Sequence, residues 1–400
     1  MSRLQHFGWF LARGFGPHGW GHPYLDWNWQ WTRPELYQQS ARELERAGFE
    51  FVLIEDAPSL GSPDTIDLRV RHAFGGPKLD PLLLAPYLFQ ATTRLGVIPT
   101  VNPAAYLPYT AARQFATLQH LSGDRLGLNV VTDTGSARHF GDAPQLSHDA
   151  AYDRAEEWLD GIRALWNSWG EGALVRDTAT GVYADGTKLR PVRHRGEYFA
   201  FDGPLNAVRF ERGEPVIASP GGSGRGLGFA GANSDVQLAL APLTEQSVRA
   251  YRAKIHAAAL ERGRSPSDIT IMFAIQPVIV SSPEEADRVV AASAHPDDAV
   301  LRVIAQRQSS DLETDITVLD LDAPLPEGLF AEHVSQGSIR RLIGDRDAAT
   351  APLRAHLTAL ARAGRISDRS GFVGTAEEFA DMIEELGEWG NDGVLLWGDL

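Results

Sequence analysis

The chain has 400 residues, 43% of them hydrophobic, and carries a net charge of −15 with no basic block. That balance argues against nucleic acid or an anionic membrane as partner. The absence of cysteine rules out disulfides, a thiolate nucleophile and a cysteine metal site.

The N-terminal stretch "MSRLQHFGWFLARGF" has too short an apolar run and no small-residue cleavage site for a signal peptide. No stretch reaches the ~18 apolar residues that span a bilayer. A soluble, cytoplasmic protein is expected.

In chain order, "HFGWFL" (6–11) reads as a buried strand. "TRPELYQQSARELERAG" (32–48) predicts a helix with Thr32 as N-cap, Pro34 in its first turn and Gly48 as its stop. "FEFVLIED" is a second strand and "PLLLAPYLFQAT" the next helix. "RLGVIPTV", "YTAARQFATLQHLSG" and "RLGLNVVTD" continue the alternation as strand, helix and strand. The long helix "AAYDRAEEWLDGIRALWNSW" follows, then the strand "PVIAS" with its helix, then "DVQLALAP", "ITIMFAIQPVIV" and "DGVLLWG". Continuous apolar strands alternating with helices indicate a parallel sheet covered on both faces. Eight such units predict a (β/α)8 TIM barrel, one domain over 1–400 with insertions at about 171–213 and 283–370.

Barrel enzymes carry their sites at the carboxyl ends of the strands. Those ends bring Glu55 and Asp56, then Thr100 and Asn102, then Asn129, Thr132, Asp133 and Thr134. After the first strand comes "RGFGPHGWGHPYLDWNWQW", with four tryptophans and two histidines in nineteen residues. After the fifth comes "PGGSGRGLGFAG". Gly226, Gly228 and Gly231 spell G-x-G-x-x-G, but Gly226 stands several residues beyond the strand end, where the dinucleotide turn cannot lie. No Lys-Ser or Lys-Thr pair follows, which removes a nucleotide-hydrolase loop. Gly221, Gly222, Ser223 and Gly224 directly follow the strand and suit a phosphate at a helix N-terminus, with Arg225 beside it. A plain glycine turn is the other reading of the same residues.

"LNVVTD", "HFG", "HDAAYDRAEEWLDGIRALWNSW", "HRGEYFAFDGPLNAVRF", "PVIASPGGSGRGLGFAG", "FVGTAEEFADMI" and "DGVLL" occur in this order. They resemble the segments W-N-x-V-T-S, N-F-G, H-D-x-R-Y-x-x-A-x-E with L-W-x-S-W, H-x-G-x-Y-F-x-V-x-G-P-L, P-V-x-x-Q-A-G-x-S-x-x-G-R-x-F-A, V-G-T-P-x-x-V-A-D and D-G-F. Those segments mark a flavin-dependent group of the bacterial luciferase-like superfamily, which contains the nitrilotriacetate, long-chain alkane and dibenzothiophene-sulfone monooxygenases. The resemblance implies a barrel that binds reduced FMN delivered by a separate NAD(P)H:FMN reductase. It further implies a C4a-hydroperoxide formed with O2 that oxygenates a small molecule, and a homodimer or homotetramer. By the same resemblance Asp56, Asn102, Asp133, His148, Tyr152 and Ser223 contact the flavin, with Gly222 and Arg225 completing the phosphate loop. The sequence departs from the pattern at Asp133, where Ser is usual, at Leu227, where Arg is usual, and at Ser219-Pro220 in place of Gln-Ala.

Trp20, Trp27 and Trp29 are expected to wall an apolar or aromatic substrate, because crowded indoles are normally buried against something. His18 and His22 are the candidate catalytic acid/base groups, since histidine titrates near neutrality. Without a companion set of ligands at metal spacing, no metal site is expected there. A deazaflavin hydride-transfer enzyme on the same barrel, and a non-catalytic flavin-binding protein, are the alternatives.

Overall fold

The computed structural model describes residues 5–11, 31–61, 63, 65–132, 134–141, 146–330, 334, 336–344, 346–366 and 371–398. His18, Trp20, His22, Trp27, Trp29 and Asp133 lie outside the described residues.

Eight parallel strands form a closed barrel in chain order: β1 (His6–Leu11), β2 (Phe51–Ile54), β3 (Gly96–Val101), β4 (Gly127–Val130), β5 (Val216–Ser219), β6 (Val236–Ala239), β7 (Thr270–Ile279) and β8 (Gly393–Leu396). Closure is made by β6 against β7 and by β8 against β1, with His6 beside Gly393 and Trp9 beside Leu396. The strands are short and apolar because they are covered on both sides. Leu53, Ile98, Ala218, Leu238 and Leu395 form one small cluster with Phe10, Phe51 and Val236. Their neighbours in the period-two alternation, such as Val52, Ile54 and Val97, pack instead with the helices.

The helices that matter for the site are α1 (Pro34–Arg46), α2 (Pro81–Ala91), α3 (Pro108–Ser122), α4 (His148–Trp166), α5 (Gly224–Asn233) and α6 (Glu245–Glu261). Thr32 does not cap α1. Arg33 takes that place, with extended backbone and no side-chain capping bond. The cause is Pro34: its fixed φ suits the first helical position, and its ring drives the preceding residue out of the helical region. Gly48 then turns the chain at φ +89°, a conformation glycine adopts without strain. Asp80 caps α2 by accepting from the backbone N–H of Leu82 and Leu83 at 2.9 and 3.0 Å.

Between α4 and β5 the chain makes two antiparallel hairpins, Leu174–Asp177 with Val182–Ala184 and Arg193–Arg195 with Ala200–Asp202. Glu157 of α4 braces the second. Its oxygens accept from the backbone N–H of Tyr198 and Phe199 at 2.9 and 2.8 Å, and lie 2.9 Å from His194 Nε2. Beyond β7 come the helices Pro283–Ser293, Asp298–Leu312, Gln336–Ile343 and Leu353–Ala361. Leu301, Leu312, Leu342, Leu353 and Leu357 give this layer a hydrophobic cluster of its own. β7 itself runs past the barrel: Gln276–Ile279 pairs with a further parallel strand, Gly371–Gly374.

Candidate functional site

The site is built where β2 to β5 end. β5 stops at Ser219 and α5 starts at Gly224, so Gly226 is a helical residue and the dinucleotide spacing fails as expected. Ser223 is the N-cap of α5, and its Oγ accepts from Gly226 N at 3.0 Å. The four residues between strand and helix divide into two kinds. A Cβ on Gly221 would stand 2.8 Å from Gly226 Cα and 2.9 Å from Tyr152 Oη, so that glycine is needed for close backbone approach. A Cβ on Gly222 would meet nothing within 4 Å. The loop is closed underneath and open on top.

Buried polar groups hold it there. Ser219 Oγ lies 2.8 Å from Ser234 Oγ and donates to Gln237 Oε1 at 3.0 Å. Gln237 Nε2 then donates to the carbonyl of Gly221 at 3.0 Å and to Tyr251 Oη at 2.9 Å. A satisfied buried network of this kind fixes one loop conformation.

α4 supplies the facing wall. Ser147 caps it, so the helix opens on His148, two residues before the expected start. His148 Nε2 lies 3.3 Å from Ser223 Oγ, and its ring meets the Tyr152 ring edge to face at 5.2 Å. The i, i+4 spacing thus delivers both side chains to the glycine loop. Arg225 does not offer a free charge. Its guanidinium is paired with Asp153 at 2.6 Å and Glu156 at 2.9 Å and lies over the Tyr152 ring. It ties α5 to α4 beside the loop.

A second part of the mouth lies beside the first. A small, half-open cleft is lined by Asn102, Thr132, Thr134, Ala137, Ala151 and Arg154, among others. Asn102 directly follows β3, and its Oδ1 accepts from Ala104 N at 2.9 Å. At the base, Asn129 Nδ2 donates to Thr100 Oγ1 at 2.9 Å, while Asn129 Oδ1 has no partner among the described residues. Asp56, at the end of β2, is half-buried. Burial pushes its carboxyl up to about 6; Lys78 opposes the shift, and Glu55 and Asp80 add to it. Lys78 itself is held 2.5 Å from Glu55.

The mouth therefore brings Asn102, His148, Tyr152, Gly222 and Ser223 onto adjoining elements, with Asp56 at the end of β2. Sequence reasoning missed Arg154, which looks like one more charge in "YDRAEE". The available signal was phase: position 154 follows Ala151 by three and precedes Trp158 by four, which puts it on the apolar stripe.

The family described as "Luciferase-like monooxygenase" matches residues 6–393. Dibenzothiophene-sulfone monooxygenase of Rhodococcus erythropolis (strain XP) is 33% identical over 96% of this chain and 85% of its own length. Nitrilotriacetate monooxygenase component A of Aminobacter aminovorans is 30% identical over 94% of this chain and 84% of its own. Among solved structures, riboflavin lyase RcaE, titled as holding modified FMN and riboflavin, superposes with a TM-score of 0.78 at 28% identity, over 99% of this chain and 87% of that one. The chain belongs to the luciferase-like monooxygenase family and is an enzyme of that kind.

Proposed function

We propose that this protein is an FMN-dependent monooxygenase of the two-component type, which oxygenates a small organic molecule using O2 and reduced FMN delivered by a separate NAD(P)H-dependent reductase. The observation that carries the reading is the glycine loop after β5, closed beneath by Tyr152 and Gly226 and open above at Gly222. The donor set suits a phosphate monoester: the Ser223 hydroxyl, backbone N–H groups at the start of α5, and the imidazole and phenol of His148 and Tyr152. The relative named as component A and the solved relative titled with FMN support the two-component form and the choice of flavin.

When bound, reduced FMN supplies the electrons that activate dioxygen for transfer of one oxygen atom. The protein's own work is positional. Ser223 and the first N–H groups of α5 anchor the phosphate end. Asn102 and Asp56 stand at the neighbouring strand ends, where the ring would lie. Asp56, with its raised pKa, is able to hold a proton near neutrality. The segment 18–31 is proposed to exclude water from the substrate side, with Trp20, Trp27 and Trp29 as its wall and His18 and His22 as proton-transfer groups.

The test uses Ser223→Asp. Aspartate caps a helix as well as serine does, so the melting temperature should stay put. The added charge against a phosphate should weaken FMN binding by about 2 kcal/mol, roughly thirtyfold. Fluorescence titration reads the affinity, and an unchanged value would make the loop an ordinary turn. The wild-type protein should also leave NADH untouched until a reductase is added.

A further inference from the structure

Arg154 is only 8% exposed. Its Nε is buried without a hydrogen-bond partner, and the guanidinium makes no hydrogen bond or ion pair with any described residue. The neighbouring carboxylates among the described residues are committed elsewhere. Asp153 and Glu156 pair with Arg225, and Glu157 is occupied by His194 and the backbone of Tyr198 and Phe199. The Phe199 ring packs against the guanidinium, with 5.1 Å from its carbon to the centroid. Burial pulls this group below the ordinary arginine range while Glu157 and Tyr198 act against the shift, yet a guanidinium keeps its proton at any working pH.

A buried cation is costly unless an anion pairs with it. The arginine lines the cleft together with Asn102 and Thr132, so an anion entering the mouth would meet it there. The flavin phosphate is not that partner. Residue 154 is turned about 200° around α4 from Tyr152, away from the glycine loop. We propose that Arg154 holds a carboxylate of the substrate, so that the enzyme selects an organic acid whose apolar body extends toward the rest of the mouth. This narrows the apolar substrate expected from the tryptophan segment, and it rests on the monooxygenase reading for the reaction it serves. A planar carboxylate matches the two-pronged guanidinium edge, which neither a neutral amide nor a hydrocarbon does.

Calorimetric titration with 3-phenylpropanoate and 3-phenylpropanamide tests this, on the full chain with and without FMN. The acid should bind at least about tenfold tighter than the amide to the wild type, Arg154→Lys should keep part of the preference, and Arg154→Met should bind both within about twofold. The melting temperature of ligand-free Arg154→Met should be no lower than that of the wild type, because the substitution removes an unpaired buried charge; a packing role predicts a fall instead. Equal affinity of the wild type for acid and amide in both states, or a preference that survives in Arg154→Met, overturns the proposal. So does an FMN affinity that drops about tenfold in Arg154→Met, since the arginine then serves the cofactor. A wild type that binds no FMN but prefers the acid would sink the flavin reading and leave this one standing.

Discussion

Two regions of the barrel mouth, one helix face apart, are finished to different degrees. Around the glycine loop the buried polar side chains are paired: Ser219, Ser234, Gln237 and Tyr251 form one chain, and Arg225 is matched by two carboxylates. Across α4, Asn129 Oδ1 and Arg154 Nε are buried without partners among the described residues. The first region has its supporting framework fixed before any ligand arrives, which is what a pre-organised anchor requires. The second is completed only by what enters it. A cofactor common to a whole family suits a prebuilt seat, while the choice of substrate resides in the unfinished wall.

The contrast breaks most easily at the loop. Gly221→Val places side-chain carbons against the backbone of Gly226, which cannot give way, and should cost about 3 kcal/mol of stability together with FMN binding. Gly222→Ala, one residue on, points into open space and should change stability by less than about 0.5 kcal/mol while still lowering FMN affinity. Urea denaturation beside FMN titration separates the two, and equal stability losses would mean the loop has no open side.

Next in size is Arg225→Gln. It strips two carboxylates of their cation and should cost about 1–3 kcal/mol in the same urea experiment, in contrast to Arg154→Met. Two arginines far apart in sequence, one carried on α4 and one paired to it, would then show opposite responses. Similar losses for both would erase the distinction between the regions.

The smallest effect is at Asp56. Its carboxyl is raised to about 6 in the fold, against about 3.9 for an unfolded chain. The ionised form is thus disfavoured by folding. That penalty is fully present above pH 6 and absent below about pH 4. Asp56→Asn should therefore melt slightly higher than the wild type at pH 7.5, and the gap should close as pH falls from 6 to 4. A gap that stays constant over that range would show that the residue is not a buried titrating group.

All eight barrel strands were legible because apolar runs between helices leave few other arrangements. The glycine loop was legible because strand, glycines and helix start follow one another directly. His148 and Tyr152 were legible by spacing and by family pattern. What escaped is long-range pairing. Nothing in "GSGRG" tells that Arg225 will be claimed by Asp153 and Glu156, more than sixty residues away in sequence. Gln237 sits in an apolar strand, and its task of holding the Gly221 carbonyl appears only once β5 and β6 are side by side. The cap of α1 was misplaced by one residue because the effect of Pro34 on its predecessor outweighed the capping preference of Thr32.

β7 is a splint as well as a stave. Beside its pairing with β6, it carries two ladders in succession, Met272–Ile275 against β8 and Gln276–Ile279 against Gly371–Gly374. The chain leaves the barrel at Ile279 and comes back at Gly371, beside Gln276 of the strand it left. Departure and return are thus clamped to one rigid rod. For an engineer this marks a graft junction: a set of helices exchanged between these two points would start and end on the same strand, and would have to replace the contacts that Ser310 and Glu313 make with Arg69 and Thr65.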